Sequence, residues 1–215
     1  MSRHAYSAEA RAAIYRVIGE RRDMRHFIPG EVEPALLARL LEAAHQGPSV
    51  GLMQPWRFVR ITRPALRTAI GELVEQERLA TAEALGERGA QFMRLKVEGI
   101  RDCAELLVAA LMEGREPYVF GRRTLPQMDL ASLACAIQNL WLAARAEGLG
   151  MGWVSLFDPL ALGRLLGMPD DAQPVAILCL GPVETFYTAP MLALEGWAQP
   201  RPLQELLFEN QWEQR

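Results

Sequence analysis

The sequence predicts one domain that mixes helices with short strands, and three observations predict it. The 215 residues suit one large domain, or one domain with an elaborate loop. Half of the residues are apolar and 23% are charged, which supplies a sizeable core and argues against wholesale disorder. Apolar stripes at helical spacing alternate with short apolar runs, and neither an internal repeat nor a linker divides the chain.

Each element follows from local pattern. Ala8 to about Glu20 reads as a helix with Ile14, Val17 and Ile18 on one face, running into Arg21-Arg22-Asp23-Met24-Arg25. Pro29 and Gly30 mark a loop. Pro34 suits the first turn of a second helix, along which Leu36, Leu37, Leu40, Leu41 and Ala44 repeat until Gly47 and Pro48 end it. Pro48 to Trp56 is a loop, and Arg57 to Thr62 reads as a strand. Pro64 opens a long helical region that extends to about Glu113. Its middle, Glu75 to Arg94, is highly charged, and Gly86 and Gly89 predict a break or mobile tip there.

Residues Gly114 to Gln127 form a polar, basic loop with Arg115, Arg122 and Arg123. Asp129 is placed to cap a long helix with an apolar stripe of Leu130, Leu133, Ala134, Ile137, Leu140, Trp141 and Ala144, ended by Gly148. Trp153 to Phe157 is a strand candidate, and Asp158-Pro159 starts a short helix. Pro174 to Leu180 is a nearly continuous apolar run, the pattern of a strand buried on both faces. The tail after Gly181 holds Trp197, Phe208 and Trp212 among prolines, and is expected to lie across another surface such as a partner subunit.

Composition excludes much chemistry. The formal charge of −3 gives no support to a nucleic-acid binder that works through bulk positive charge. The basic residues are 22 Arg and a single Lys, Lys96, so there is no Gly-Lys-Ser/Thr phosphate loop. A coding bias explains most of that imbalance, although Arg also suits bidentate binding of phosphate and carboxylate. Cys103, Cys135 and Cys179 form no CxxC pair and read as reduced core residues. His4, His26 and His45 make no HExxH or HxH pattern, so no metal site is expected. No serine or cysteine sits in a GxSxG-type motif. Met1 to Arg11 lacks an apolar signal core and no run is long enough to cross a membrane, so a cytoplasmic location is expected.

Four segments stand out. Arg21, Arg22 and Arg25 put three guanidiniums within five residues, which on local sequence alone reads first as a solvated cluster paired with nearby Glu and second as a site for a phosphate and a planar heterocycle. Asp23 is the odd member. Neighbouring Arg charge favours its ionised form, which suits a base or hydrogen-bond acceptor better than a resting acid. Pro48-Ser49-Val50-Gly51-Leu52-Met53-Gln54-Pro55-Trp56 is either a close-approach ligand loop or an ordinary turn. Gly148 to Ser155 is glycine-rich, but its glycines follow a helix and open a strand, the reverse of a dinucleotide fingerprint. Gln199-Pro200-Arg201-Pro202 fixes one Arg in extended backbone.

Taken in order, these segments resemble the flavin-dependent nitroreductase superfamily over almost the whole chain. Within it the nearer match is to the flavin-fragmenting branch, carried by Arg21 to Arg25, Pro48 to Gly51, Gly150 to Ser155, and Arg201-Pro202-Leu203 through Phe208-Glu209-Asn210. Ordinary nitroreductases more often have Ser where Asp23 stands and often Lys where Arg25 stands.

The resemblance implies an α+β fold, with a central mixed sheet flanked by helices and an intertwined homodimer with FMN at its interface. It implies one domain over residues 1–215 with a helical lid insertion around 75–94. It also implies that reduced FMN is a substrate, fragmented with O2 to 5,6-dimethylbenzimidazole and erythrose 4-phosphate, the former serving as the lower ligand of vitamin B12. A separate flavin reductase would supply the reduced FMN. Arg21, Arg22 and Arg201 would hold the phosphate and its flanking atoms, and Arg25 would face the pyrimidine edge. Pro48, Ser49, Gly51 and Gln54 would line the ring from either subunit. Asp23 and Ser155 match the catalytic positions and also touch the flavin. The alternative is an NAD(P)H-dependent nitroreductase or flavin reductase that recycles its FMN; a flavin-storage protein would leave Asp23 without a role.

Overall fold

The computed structural model describes residues 3–212. In chain order the elements are α1 (Ala8–Glu20), α2 (Pro34–His45), β1 (Trp56–Arg60), α3 (Pro64–Ala84), α4 (Gly89–Met93), β2 (Glu105–Leu111), α5 (Met128–Ala146), β3 (Gly150–Val154), α6 (Pro159–Leu166), β4 (Gln173–Gly181) and α7 (Met191–Leu194). The strands form one four-stranded sheet in the order β1-β2-β4-β3.

The two central strands are covered on both faces. One face of β2 and β4 presents Leu107, Ala109, Leu111, Ala176, Leu178 and Leu180 to α2 and α5. The other presents Leu106, Val108, Ile177 and Cys179 to a core that includes Ile70 and Val74 of α3 and Leu162 of α6. The result is a three-layer domain with helices on both sides of the sheet. Burying this much apolar surface is the main term opposing chain entropy.

Double coverage explains the largest departure from the sequence reading. The helical region expected from Pro64 to about Glu113 ends at Met93, and residues 105–111 are strand β2. All seven residues of β2 are buried, so the segment carries no period-2 alternation, and its Leu and Ala content favours helix locally. The expected mixed sheet is also corrected, because all three strand pairings are antiparallel. The one parallel pairing among the described residues is an isolated bridge, Asp23 with Met151. The strand expected at Trp153 to Phe157 starts and ends earlier, at Gly150–Val154.

Asp129 is not the cap of α5. It lies one residue inside that helix and is buried between Arg115, at 3.1 Å, and Arg122, at 3.0 Å. Arg122 also donates to the carbonyls of Arg115, Tyr118 and Pro126, so the basic loop folds around its own arginine. The expected break in the charged helical segment is present: α3 ends at Ala84, and Gly86 takes a positive φ of 55°. The three cysteines are free; Cys103 and Cys179 are buried, whereas Cys135 is exposed on α5.

No helix among the described residues is long and apolar enough to cross a membrane. Among the described residues, exposed apolar side chains gather on α1 and in the tail, and also at Leu52, Val119 and Phe120. Helix α1 buries none of its residues, and Ile14, Tyr15 and Ile18 are exposed. In the tail, Leu203, Leu206, Leu207 and Trp212 are exposed.

Candidate active site

Strand β3 is an edge of the sheet, and its unpaired backbone groups organise the site. After α1 the chain leaves Glu20 in extended form and runs beside β3. Met24 N–H donates to Met151 C=O at 2.9 Å. In extended backbone, residues i and i+2 share a face. Met24 therefore points into the core, fully buried, while Asp23 and Arg25 both face the other way.

Beyond Met151 the edge is covered by side chains rather than backbone. Trp153 N–H donates to Asp23 Oδ1 at 2.9 Å, and Arg25 Nη2 donates to Trp153 C=O at 2.7 Å. Arg25 Nη2 also donates to Asp23 Oδ2 at 2.6 Å. The backbone of one residue, Trp153, thus fixes both members of an ion pair. Gly152 makes the approach possible: a Cβ there would lie 2.3 Å from Met24 O and 2.7 Å from Arg25 Nη1.

The pair opens on a cavity of about 340 Å³. Its floor is Arg21, Arg22, Asp23 and Arg25 with Trp153 to Leu156, and its outer wall combines Phe92 and Leu95 with Pro190 to Leu192 and Trp197. The wall is latched. The Arg88 guanidinium stacks 3.7 Å from the Trp197 ring centroid and donates to Trp197 C=O at 3.0 Å. Phe92 packs against the same indole at 6.1 Å.

Burial pushes the Asp23 carboxyl above its ordinary value of 3.8, against the opposing pulls of Arg25, the Trp153 N–H and Arg21. The expectation that Arg charge dominates is therefore reversed. The side chain keeps 43% of its surface accessible, yet protein walls surround it, and they replace much of the water that would solvate an anion. The direction of the shift follows from that enclosure.

Arg25 carries the complementary feature. It is 8% exposed, and its Nη1 is buried with no hydrogen-bond partner. A buried guanidinium donor without an acceptor is costly unless a ligand supplies one. Arg21 lies over the Trp141 ring at 4.6 Å and lines the cavity. Arg22 is differently engaged. Its Nη1 donates to Gly19 and Arg21 carbonyls at 2.7 and 2.8 Å, and its Nη2 to Thr188 C=O at 3.3 Å. It lines the cavity mainly as a staple of the floor. Ser155 follows β3 and presents an exposed hydroxyl to the cavity.

A model of the nitroreductase family matches residues 18–182. The chain belongs to the nitroreductase family. It is 39% identical over 209 residues to a 5,6-dimethylbenzimidazole synthase of Rhodobacter capsulatus, covering 95% of this chain and 97% of that protein. It is also 39% identical over 184 residues to a 5,6-dimethylbenzimidazole synthase of Rhodospirillum rubrum, covering 85% and 87%. The crystal structure of a BluB-like flavoprotein from Clostridium difficile superposes with a TM-score of 0.70 at 17% identity, covering 92% and 99%. The resemblance read from the motifs is thereby borne out at family level and toward the 5,6-dimethylbenzimidazole synthases, and family membership implies flavin use.

Within one chain of this nitroreductase, the sequence-selected residues divide into two groups. Arg21, Arg22, Asp23, Arg25 and Ser155 share the cavity. Pro48, Ser49, Gly51, Gln54 and Arg201 do not line it. The Pro48–Gln54 turn is internally braced, with Ser49 Oγ accepting from Gln54 N–H at 3.1 Å. It holds Gly51, Leu52 and Gln54 at positive φ of 55°, 52° and 48°, a conformation that costs non-glycine residues energy. Gly51 instead meets Phe120 of the arginine-centred loop. Arg201 is exposed in the tail. The cavity residues that sequence reasoning missed, Phe92, Leu95, Pro190, Met191 and Leu192, are apolar and carried no chemical signal. Trp197 carried one, as an aromatic in a segment with no helical period.

Proposed function

We propose that this chain is a 5,6-dimethylbenzimidazole synthase, converting reduced FMN and O2 to 5,6-dimethylbenzimidazole and erythrose 4-phosphate. The observation that carries the reading is the Asp23–Arg25 pair held on the backbone of Trp153 in β3, in a chain 39% identical to such a synthase over nearly its full length. FMN fits the donors of this site: the buried Arg25 Nη1 lacks an acceptor, which a flavin pyrimidine edge supplies, and Arg21 adds a second guanidinium to the cavity lining.

When bound, reduced FMN supplies the electrons and the carbon skeleton; the protein supplies binding, orientation and proton handling. Arg25 stabilises negative charge at the pyrimidine edge from a fixed, water-poor position. Arg21 draws the phosphate end, and Arg22 holds the floor that carries both. Asp23 accepts and returns protons at its Oδ atoms. Its raised pKa brings it nearer the working pH of a general base, and Arg25 keeps its negative form supported. Ser155 orients a reacting group or a water through its hydroxyl. Residues 75–94 act as a lid, with Phe92 shielding the cavity from bulk solvent.

The assembled enzyme is a homodimer in this reading, with a second copy bringing Ser49, Gly51, Gln54 and Arg201 to the flavin. Supporting it are the exposed apolar residues of α1 and the exposure of Leu52 and Phe120, at 80% and 81%, beside that loop. A separate flavin reductase delivers the reduced FMN. The test is to mix purified protein with FMN, a reductant and air, then measure dimethylbenzimidazole by mass spectrometry. Product is expected, and its absence under verified flavin reduction and binding would sink the reading. Rapid oxidation of NADPH by the protein alone would favour the reductase alternative.

A further inference from the structure

The loop after β4 contains a tyrosine that neither the motifs nor the fold accounts for. Tyr187 places its hydroxyl 3.1 Å from the backbone N–H of Arg25 and 2.6 Å from His26 Nδ1. Its ring meets the His26 ring edge-on, with centroids 6.0 Å apart and planes at 83°.

The position of this contact follows from the local geometry. Backbone N–H groups alternate direction in an extended segment. Met24 N–H points to β3, where Met151 accepts it, so the next N–H, that of Arg25, points away from the sheet. Tyr187 is the group that receives it. With Arg25 N–H donating to the phenol oxygen, the phenol proton is free to go to His26 Nδ1, so the hydroxyl is satisfied on both sides. The adjacent Thr188 takes Arg22 Nη2 on its carbonyl at 3.3 Å, and Pro190 to Leu192 then form cavity wall. One short loop therefore grips the outer edge of the segment whose inner edge is gripped by β3.

We propose that Tyr187 is a positioning residue for the Asp23–Arg25 pair: its hydroxyl clamps the Arg25 backbone from the side opposite β3, so that the guanidinium meets the flavin at a fixed place. The proposal rests on the reading of this cavity as an FMN site. It does not require the fragmentation reaction.

The experiment is a double-mutant cycle on FMN binding, read by quenching of flavin fluorescence with oxidised FMN. Tyr187→Phe keeps the ring against His26 and removes only the hydroxyl. In the otherwise natural chain it is expected to weaken FMN binding about fivefold. In an Arg25→Lys background, where the guanidinium is already gone, it is expected to change binding by less than about twofold. His26→Gln leaves the Tyr187–Arg25 bond in place and is expected to bind FMN within about twofold of the natural chain. Additive effects of Tyr187→Phe and Arg25→Lys would overturn the proposal, as would unchanged FMN binding by Tyr187→Phe. Dimethylbenzimidazole formation by the natural chain is scored separately, so failure of the synthase reading is seen independently of the clamp.

Discussion

Arg25 Nη2 lies 2.6 Å from Asp23 Oδ2, while Nη1 of the same guanidinium is buried and meets no acceptor. The two halves of one side chain thus differ, one neutralising a carboxylate and the other meeting no acceptor. Asp23 is tied to Trp153 N–H on its other oxygen, so it cannot swing to satisfy Nη1 without losing a bond. This asymmetry separates the binding role proposed for Arg25 from the proton-transfer role proposed for Asp23.

That separation predicts the phenotype of Asp23→Asn. An amide retains an oxygen for Trp153 N–H, so FMN binding should stay within about threefold of the natural chain. Dimethylbenzimidazole formation should fall by at least about 100-fold, the lower range for losing a general acid–base group. Flavin fluorescence titration and product mass spectrometry check the two arms, and product at the normal rate would remove Asp23 from its assigned role.

The pH dependence follows from the direction of the Asp23 shift. A base must be ionised, so activity is present above its folded-state pKa and lost as pH falls through it. Burial raises that pKa above 3.8, so the acid limb of kcat/KM on FMN should lie above 3.8 rather than at or below it. The same shift makes the folded state bind more protons than the unfolded chain between 3.8 and the raised value. Stability therefore declines as pH rises through that window. A pH–rate profile with an acid limb at or below 3.8 would contradict the burial argument.

The latch between Arg88 and Trp197 predicts a kinetic effect without a change in chemistry. Trp197→Ala removes a cation–π contact and a wall of the cavity. Bound FMN should then dissociate roughly 2- to 30-fold faster in stopped-flow displacement. An unchanged dissociation rate would show that the wall formed by Phe92 and Trp197 does not retain the flavin.

The proposed dimer predicts that breaking α1 also damages the site. Ile14→Glu combined with Ile18→Glu places two charges on an exposed apolar face that a second copy would bury. The variant should elute at roughly half the native mass and bind FMN at least about tenfold more weakly. A monomeric variant with native FMN affinity would show that one chain makes the whole site.

Much of this was legible in the sequence, for physical reasons. The helices from Ala8 and Pro34 announced themselves by apolar period and by proline, and the strand at Pro174–Leu180 by its unbroken apolar run. Asp23 and Arg25 stood out because a carboxylate set within an arginine cluster that suits a phosphate would repel that phosphate unless its side chain points elsewhere. Strand β2 was hidden because burial on both faces erases alternation and, unlike β4, its run is mostly Leu and Ala, which favour helix locally. The ionisation of Asp23 was misjudged because sequence shows the neighbouring charges and not the enclosing walls. Phe92, Tyr187 and Trp197 reach the site only through tertiary contacts between α4, the floor segment and the loop after β4. No local pattern encodes that meeting.

The central claim is that the flavin is consumed rather than recycled, and its stoichiometry tests this most directly. Protein in excess is loaded with a known amount of reduced FMN, exposed to air, quenched, and assayed for both FMN and dimethylbenzimidazole. The account predicts one dimethylbenzimidazole formed for each FMN lost, with Asp23→Asn returning its FMN intact. Full recovery of oxidised FMN from the natural chain, with no dimethylbenzimidazole, would contradict it.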